Sequence, residues 1–106
     1  MRRGTTPTLT FNLPFNVSTI NNVEVYFAQN DDLILEKGME DCVLSGTTLA
    51  VTLTQAETLL LDDEEKLKVQ ARFVFTDGSV DATEGVTFTV KEILKDGEID
   101  VNTSND

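Results

Sequence analysis

Lys66-Leu67-Lys68-Val69-Gln70-Ala71-Arg72-Phe73-Val74-Phe75 runs directly into Thr76-Asp77-Gly78. Leu67, Val69, Ala71, Phe73 and Phe75 occupy every second position, with Lys66, Lys68, Gln70 and Arg72 between them. Successive side chains of a strand point to opposite faces, so this period of two predicts a strand with an apolar inner face and a polar, basic outer face. Asp77-Gly78 reads as a two-residue hairpin turn, and Ser79 to Glu84 as the strand returning from it. Gly85 falls where the alternation needs a correction, since Glu84 would otherwise point inward with Ala82 and Val86. A bulge or a strand break is expected there. Val86-Thr87-Phe88-Thr89-Val90 is the last clear strand, extending toward Ile93 or Leu94.

The same alternation recurs upstream. Thr8 to Leu13 places Leu9, Phe11 and Leu13 on one face, and Pro14 ends the strand because it has no N–H for a ladder. Phe15 to Asn22 is a connection rich in turn formers. Val23 to Gln29 directs Val23, Val25 and Phe27 inward and Tyr26 outward. Asn30-Asp31-Asp32 turns the chain into Leu33 to Lys37, and Gly38 breaks or bulges it. Cys42-Val43-Leu44 is a short strand, turned by Ser45-Gly46 into Thr47 to Leu53, where Leu49, Val51 and Leu53 alternate. Thr54-Gln55-Ala56-Glu57 changes the period. It fits a capping box, and a helical turn over residues 55–61 follows from it. Asp62 to Glu65 is a charged corner, Asp96-Gly97 a turn, and Glu98 to Asp106 an acidic tail expected to be mobile.

About seven or eight short strands, with turn signals roughly every 8–12 residues, predict an all-β chain. The expected fold is a single-domain antiparallel β-sandwich with immunoglobulin-like topology. A small open barrel is the alternative. The Cys…Trp…Cys hallmark of antibody domains is absent. The expected division is an extended arm over 1–7, the sandwich over 8–97 and the tail over 98–106.

Composition narrows the chemistry. The 106 residues suit one domain. Lys and Arg number 8 against 19 Asp and Glu, a net charge of −11. Such a chain repels phosphate backbones and anionic lipid surfaces, so neither nucleic acid nor membrane is an expected partner. There is no His, which removes imidazole catalysis and His-ligated metal. The single Cys42 cannot form an internal disulfide, and the Glu40-Asp41 pair before it raises the pKa of its thiol. Glycoside chemistry needs two carboxyl groups with separated pKa values across a cleft. The carboxylates here fall in turns and on outer strand faces, where both would stay ionised. No catalytic residue, metal site or cofactor is assigned, and no enzyme is expected. No apolar run approaches the roughly 20 residues of a membrane helix. No secretory h-region follows Met1-Arg2-Arg3-Gly4, so synthesis in the cytoplasm is expected.

Two groups of residues suggest contacts with other proteins. Lys66, Lys68 and Arg72 share one strand face, for cross-strand ion pairing or for docking onto an acidic partner. Arg2, Arg3, Thr5 and Thr6 lie in the arm Met1 to Pro7, which is either a disordered terminus or a strap reaching an acidic groove on a neighbouring copy. Such an arm could complete an exposed sheet edge by β-augmentation. Its removal would then abolish assembly and leave thermal unfolding unchanged. Asp31-Asp32, Asp62 to Glu65 and Asp77 with Asp81 offer oxygen ligands in loops. They leave open a calcium- or carbohydrate-dependent adhesion module, although there is no Trp and a single Tyr to make a sugar platform.

Several phrases also carry a likeness: Met1 to Thr8, Leu13-Pro14-Phe15, Tyr26 to Gln29, Val51 to Leu59, and Ile93 to Ile99. In this order they resemble small proteins of tail and baseplate gene clusters in prophages of Gram-positive gut bacteria. Those proteins are similar to the immunoglobulin-like N-terminal domain of phage upper baseplate proteins. The resemblance implies a structural role in a phage tail or adsorption apparatus. Other tail or baseplate proteins would be its partners, self-association would be open to it, and the assembled virion would be its destination.

Overall fold

A computed structural model describes residues 1–63, 65–83 and 85–91. The strands are β1 (Thr8–Asn12), β2 (Ile20–Gln29), β3 (Asp32–Gly38), β4 (Cys42–Ser45), β5 (Thr48–Thr52), β6 (Leu67–Phe75), β7 (Val80–Ala82) and β8 (Val86–Phe88). One helical turn, α1 (Gln55–Leu59), joins β5 to β6. The C-terminal extension of the last strand and the expected tail lie outside the described residues.

The strands form two antiparallel sheets. One has the order β1-β5-β4. The other runs β3-β2-β6-β7, with β8 continuing along the same edge of β6 as β7. The chain changes sheet between β1 and β2, between β3 and β4, and through α1 between β5 and β6. These crossovers give the all-β sandwich that the alternation predicts.

The inward faces match the period-two reading closely. Leu49, Leu53, Leu67, Val69, Ala71, Val25 and Phe27 have no exposed surface, and Val23, Val51 and Phe73 almost none. Each Val, Leu and Phe among them contributes about 1.5–3 kcal/mol through burial. Phe15, in the β1–β2 connection, packs edge-on against Phe73 and Phe75, with ring centroids 5.2 and 4.9 Å away. This geometry sets ring edges against ring faces and closes one end of the core.

The hairpins are set by residues that tolerate left-handed backbone. Asn30 and Asp31 have φ of +51° and +66° and form a two-residue loop between Gln29 and Asp32, so Asp32 already belongs to β3. The β6–β7 loop has three residues, not two. Phe75 N–H donates to Ser79 O and Gly78 N–H to Phe75 O, both at 2.9 Å, leaving Thr76, Asp77 and Gly78 in the loop. Gly78 takes φ of +89°, the left-handed third position of such loops. The Asp77 carboxylate accepts from the backbone N–H and the hydroxyl of Ser79, and these bonds hold its pKa below the ordinary value.

The correction expected at Gly85 is a strand break. β7 ends at Ala82 and β8 begins at Val86. In the gap, Thr83 N–H donates to Ala71 O at 2.8 Å, and Thr83 Oγ1 accepts the Ala71 N–H at 3.0 Å. A side-chain oxygen thus stands where the ladder would have placed a carbonyl.

The helical turn has the capping box its sequence announces. Thr54 Oγ1 accepts from Glu57 N–H at 3.2 Å, and Glu57 Oε1 accepts from Thr54 N–H at 2.8 Å. The helix covers Gln55–Leu59, shorter than the 55–61 reading. Leu61 instead turns into the core, at 2 % exposure.

Candidate docking surface

Which predicted residues share a surface is decided by β6. Its inner positions are buried, so Lys68, Gln70 and Arg72 stand on the outer face of the larger sheet and are exposed. Register with β2 places Glu24 beside Arg72, Tyr26 beside Gln70, Ala28 beside Lys68 and Asn22 beside Val74. Register with β3 adds Glu36 beside Tyr26 and Leu33 beside Ala28. β7 adds Val80 beside Val74 and Ala82 beside Arg72. The face therefore has a negative side, Glu24 and Glu36 on β2 and β3, and a positive side, Arg72 and Lys68 on β6.

At its centre Tyr26 donates its hydroxyl hydrogen to Glu24 Oε1 at 2.6 Å. That bond raises the Tyr26 pKa, reinforced by burial and the negative charge of Glu24, while Arg72 acts in the opposite sense. Glu24, Tyr26, Arg72, Val74 and Val80 line a shallow depression of about 220 Å³. Val80 is 56 % exposed and Leu33 55 %, so apolar surface lies at two margins of a charged centre. Gln70 Nε2 donates to Thr83 O at 2.9 Å, which fixes that amide against the strand break.

Lys66 stands apart. Its Nζ lies 3.5 Å from Thr89 Oγ1, past the end of β6. Lys68 lays its stem over the backbone of Gly85, where an added Cβ would overlap its Cε.

The arm residues are not on this face. Met1 to Pro7 is fastened to its own chain at several places. Arg3 N–H donates to Lys91 O at 3.0 Å and Lys91 N–H to Met1 O at 2.7 Å, a parallel bridge at Lys91, past the end of β8. The Met1 amino group donates to Thr89 O at 2.8 Å. Gly4 turns the chain with φ of +72°, and Thr5 Oγ1 closes that turn on Arg2 O at 2.6 Å. Arg3 Nε and Nη2 donate to Leu61 O at 2.6 Å and Leu59 O at 3.0 Å. Those carbonyls lie at the exit of α1, where a helix leaves acceptors without partners and favours a cation. Thr58, fully buried, donates its hydroxyl to Thr5 O at 2.8 Å. Thr6 is exposed beside this attachment. Charge count alone pointed the arm outward. The carbonyls at the exit of α1 and the backbone of Thr89 and Lys91 draw it onto the sandwich.

Glu24 and Tyr26 were not singled out as docking residues in the sequence, yet the signal was present. They alternate with Val23, Val25 and Phe27, and only pairing with β6 was needed to set them beside Arg72.

The remaining chemistry is modest. Cys42 is half-buried and donates its thiol to Gly38 O at 3.4 Å. Burial pushes its pKa up, Asp41 and Glu40 add to this, and Lys37 opposes it. Among the described residues no three His, Cys, Asp or Glu side chains gather as a metal site. No helix of the described residues is long and apolar enough to cross a membrane. A second concavity of about 750 Å³ lies between β1 and the β7–β8 edge, with Phe11, Pro14, Val86 and Phe88 among its lining. No protein-family model matches the chain, and no curated protein matches it.

Proposed function

We propose that this chain is a non-enzymatic docking module acting through protein–protein contacts, with the tail or baseplate of a phage or prophage particle as its setting. The observation that carries the docking reading is the outer face of β2 and β6, where Tyr26, Arg72 and Glu24 gather around a shallow depression with Val74 and Val80 in its wall. Tyr and Arg are the side chains most often found as interface anchors, because each combines a large contact area with a directed polar group. The phage setting rests on the sequence phrases alone.

The test is mass spectrometry of particles purified from the producing strain after prophage induction. Recovery in fixed ratio with tail proteins is expected. Abundance in the soluble lysate with absence from intact particles would overturn the phage setting. The docking face is tested by Tyr26→Ala, which is expected to lower incorporation without lowering the unfolding temperature. Undiminished incorporation of that variant would remove the face from the reading.

A further inference from the structure

We infer that the partner of this face is a second copy of the chain, an inference that rests on the docking reading above. The argument is charge complementarity. Glu24 on β2 and Arg72 on β6 are level with one another across neighbouring strands. A two-fold axis parallel to the strands, passing between β2 and β6, lays β2 of one copy over β6 of the other. Glu24 of each copy then faces Arg72 of its mate, twice, as an isologous interface requires. The other levels agree. Tyr26 meets Gln70, Asn22 meets Val74, and the small Ala28 leaves room for the Lys68 stem. An axis across the strands would instead set β6 against β6 and β2 against β2, so that Glu24 of neither copy faces Arg72 of the other. The charges thus choose one of the two arrangements.

The size of the face sets the strength. With strands about 4.8 Å apart and a rise of about 3.3 Å per residue, four strands offer a face of roughly 20 by 30 Å. That lies at the small end of specific interfaces, so association is weak and favoured by high local concentration. The net charge of −11 opposes it at long range. Specificity must come from the local pairing.

Sedimentation equilibrium from about 5 to about 500 µM reads this directly. The wild-type chain is expected to dimerise with rising concentration. Arg72→Glu alone and Glu24→Arg alone each place like charges opposite one another, and each is expected to weaken association at least about tenfold. Mixing the two variants is expected to restore a dimer, because in the mixed pair every facing position again carries opposite charges. A merely structural role for either residue would not produce rescue on mixing. Both positions are exposed, and an unchanged unfolding temperature establishes that each variant is folded. If a variant fails to fold, cross-linking in a Cys42→Ser background replaces it, with Asn22→Cys chains mixed with Val74→Cys chains and a 22-to-74 link between copies expected.

A wild-type monomer at all concentrations would overturn the second-copy inference, as would single variants that dimerise normally or a mixture without rescue. A monomer that still enters particles would leave the docking reading standing. Absence from particles would count against the phage setting whatever the dimer does.

Discussion

Lys37 Nζ lies 2.7 Å from Glu57 Oε2, joining the inner side of β3 to the helical turn between the sheets. Lys37 is 8 % exposed, a lysine on a core-facing strand position opposite Val25. Glu57 has a second task, because its Oε1 accepts the Thr54 N–H of the capping box. One carboxylate therefore fixes both the start of α1 and the position of β3 beneath it. Glu57→Gln keeps the cap acceptor and leaves Lys37 charged with a weaker partner. The expected loss is about 1–3 kcal/mol, larger than for a surface pair, because a partly buried ammonium keeps its desolvation penalty. Lys37→Met with Glu57→Gln should recover part of it. Urea unfolding of the three variants and the parent gives the coupling energy.

The same carboxylate sets an acid limit. Burial alone would push the Glu57 pKa up, but Lys37, the Thr54 N–H and the Thr54 hydroxyl together bring it below the ordinary value near 4.5. A carboxyl group with a lower pKa in the folded state stabilises the fold above its unfolded pKa, and that contribution is lost as pH falls through the folded value. The parent should therefore lose stability over Glu57→Gln's baseline as pH is taken below about 4.5, the difference between the two shrinking toward zero in acid. Denaturation at a series of pH values between about 3 and 7 measures it. A constant difference across the series would show that the pair is not what titrates.

Arg3 is expected to be structural. Its two charge-assisted bonds to Leu61 O and Leu59 O are partly buried. Arg3→Ala should cost about 1–2 kcal/mol, or roughly 4–16 °C in unfolding temperature for a domain of this size. This replaces the expectation that loss of the arm would leave unfolding unchanged. Calorimetry of Arg3→Ala and of Arg3→Lys separates charge from fork geometry, since lysine cannot address both carbonyls as one rigid donor group.

Two glycines should respond differently to alanine. Gly78 sits at φ of +89° with open space around its Cα, so Gly78→Ala strains the backbone by about 1 kcal/mol. An added Cβ at Gly85 overlaps Cε of Lys68 and crowds its Cγ and Cδ, but all three belong to one exposed, flexible side chain that can swing aside. Gly85→Ala is expected to be near neutral in thermal unfolding.

The sandwich was legible because its information is local. Leu67 to Phe75 and Leu49 to Leu53 state their buried faces by alternation, and Thr54 to Glu57 states its cap. The β6–β7 loop was misread by one residue because Asp77-Gly78 serves both two- and three-residue hairpins, and only the Phe75–Ser79 pairing distinguishes them. Lys37 was not legible as an inward residue, since nothing in Leu33 to Gly38 names Glu57 as its partner. The fastening of Arg3 was hidden for the same reason: its acceptors are main-chain carbonyls more than fifty residues away.

The bond from the Gln70 amide to Thr83 O has a consequence for folding fidelity. Since β6 alternates so regularly, sliding its neighbour by two residues would keep every side chain on its proper face. Hydrophobic pattern alone does not penalise that error. The Thr83 carbonyl is held by the side-chain amide of Gln70, which stands at one position of β6 only. The break between β7 and β8 works as an index mark that a slipped hairpin cannot satisfy.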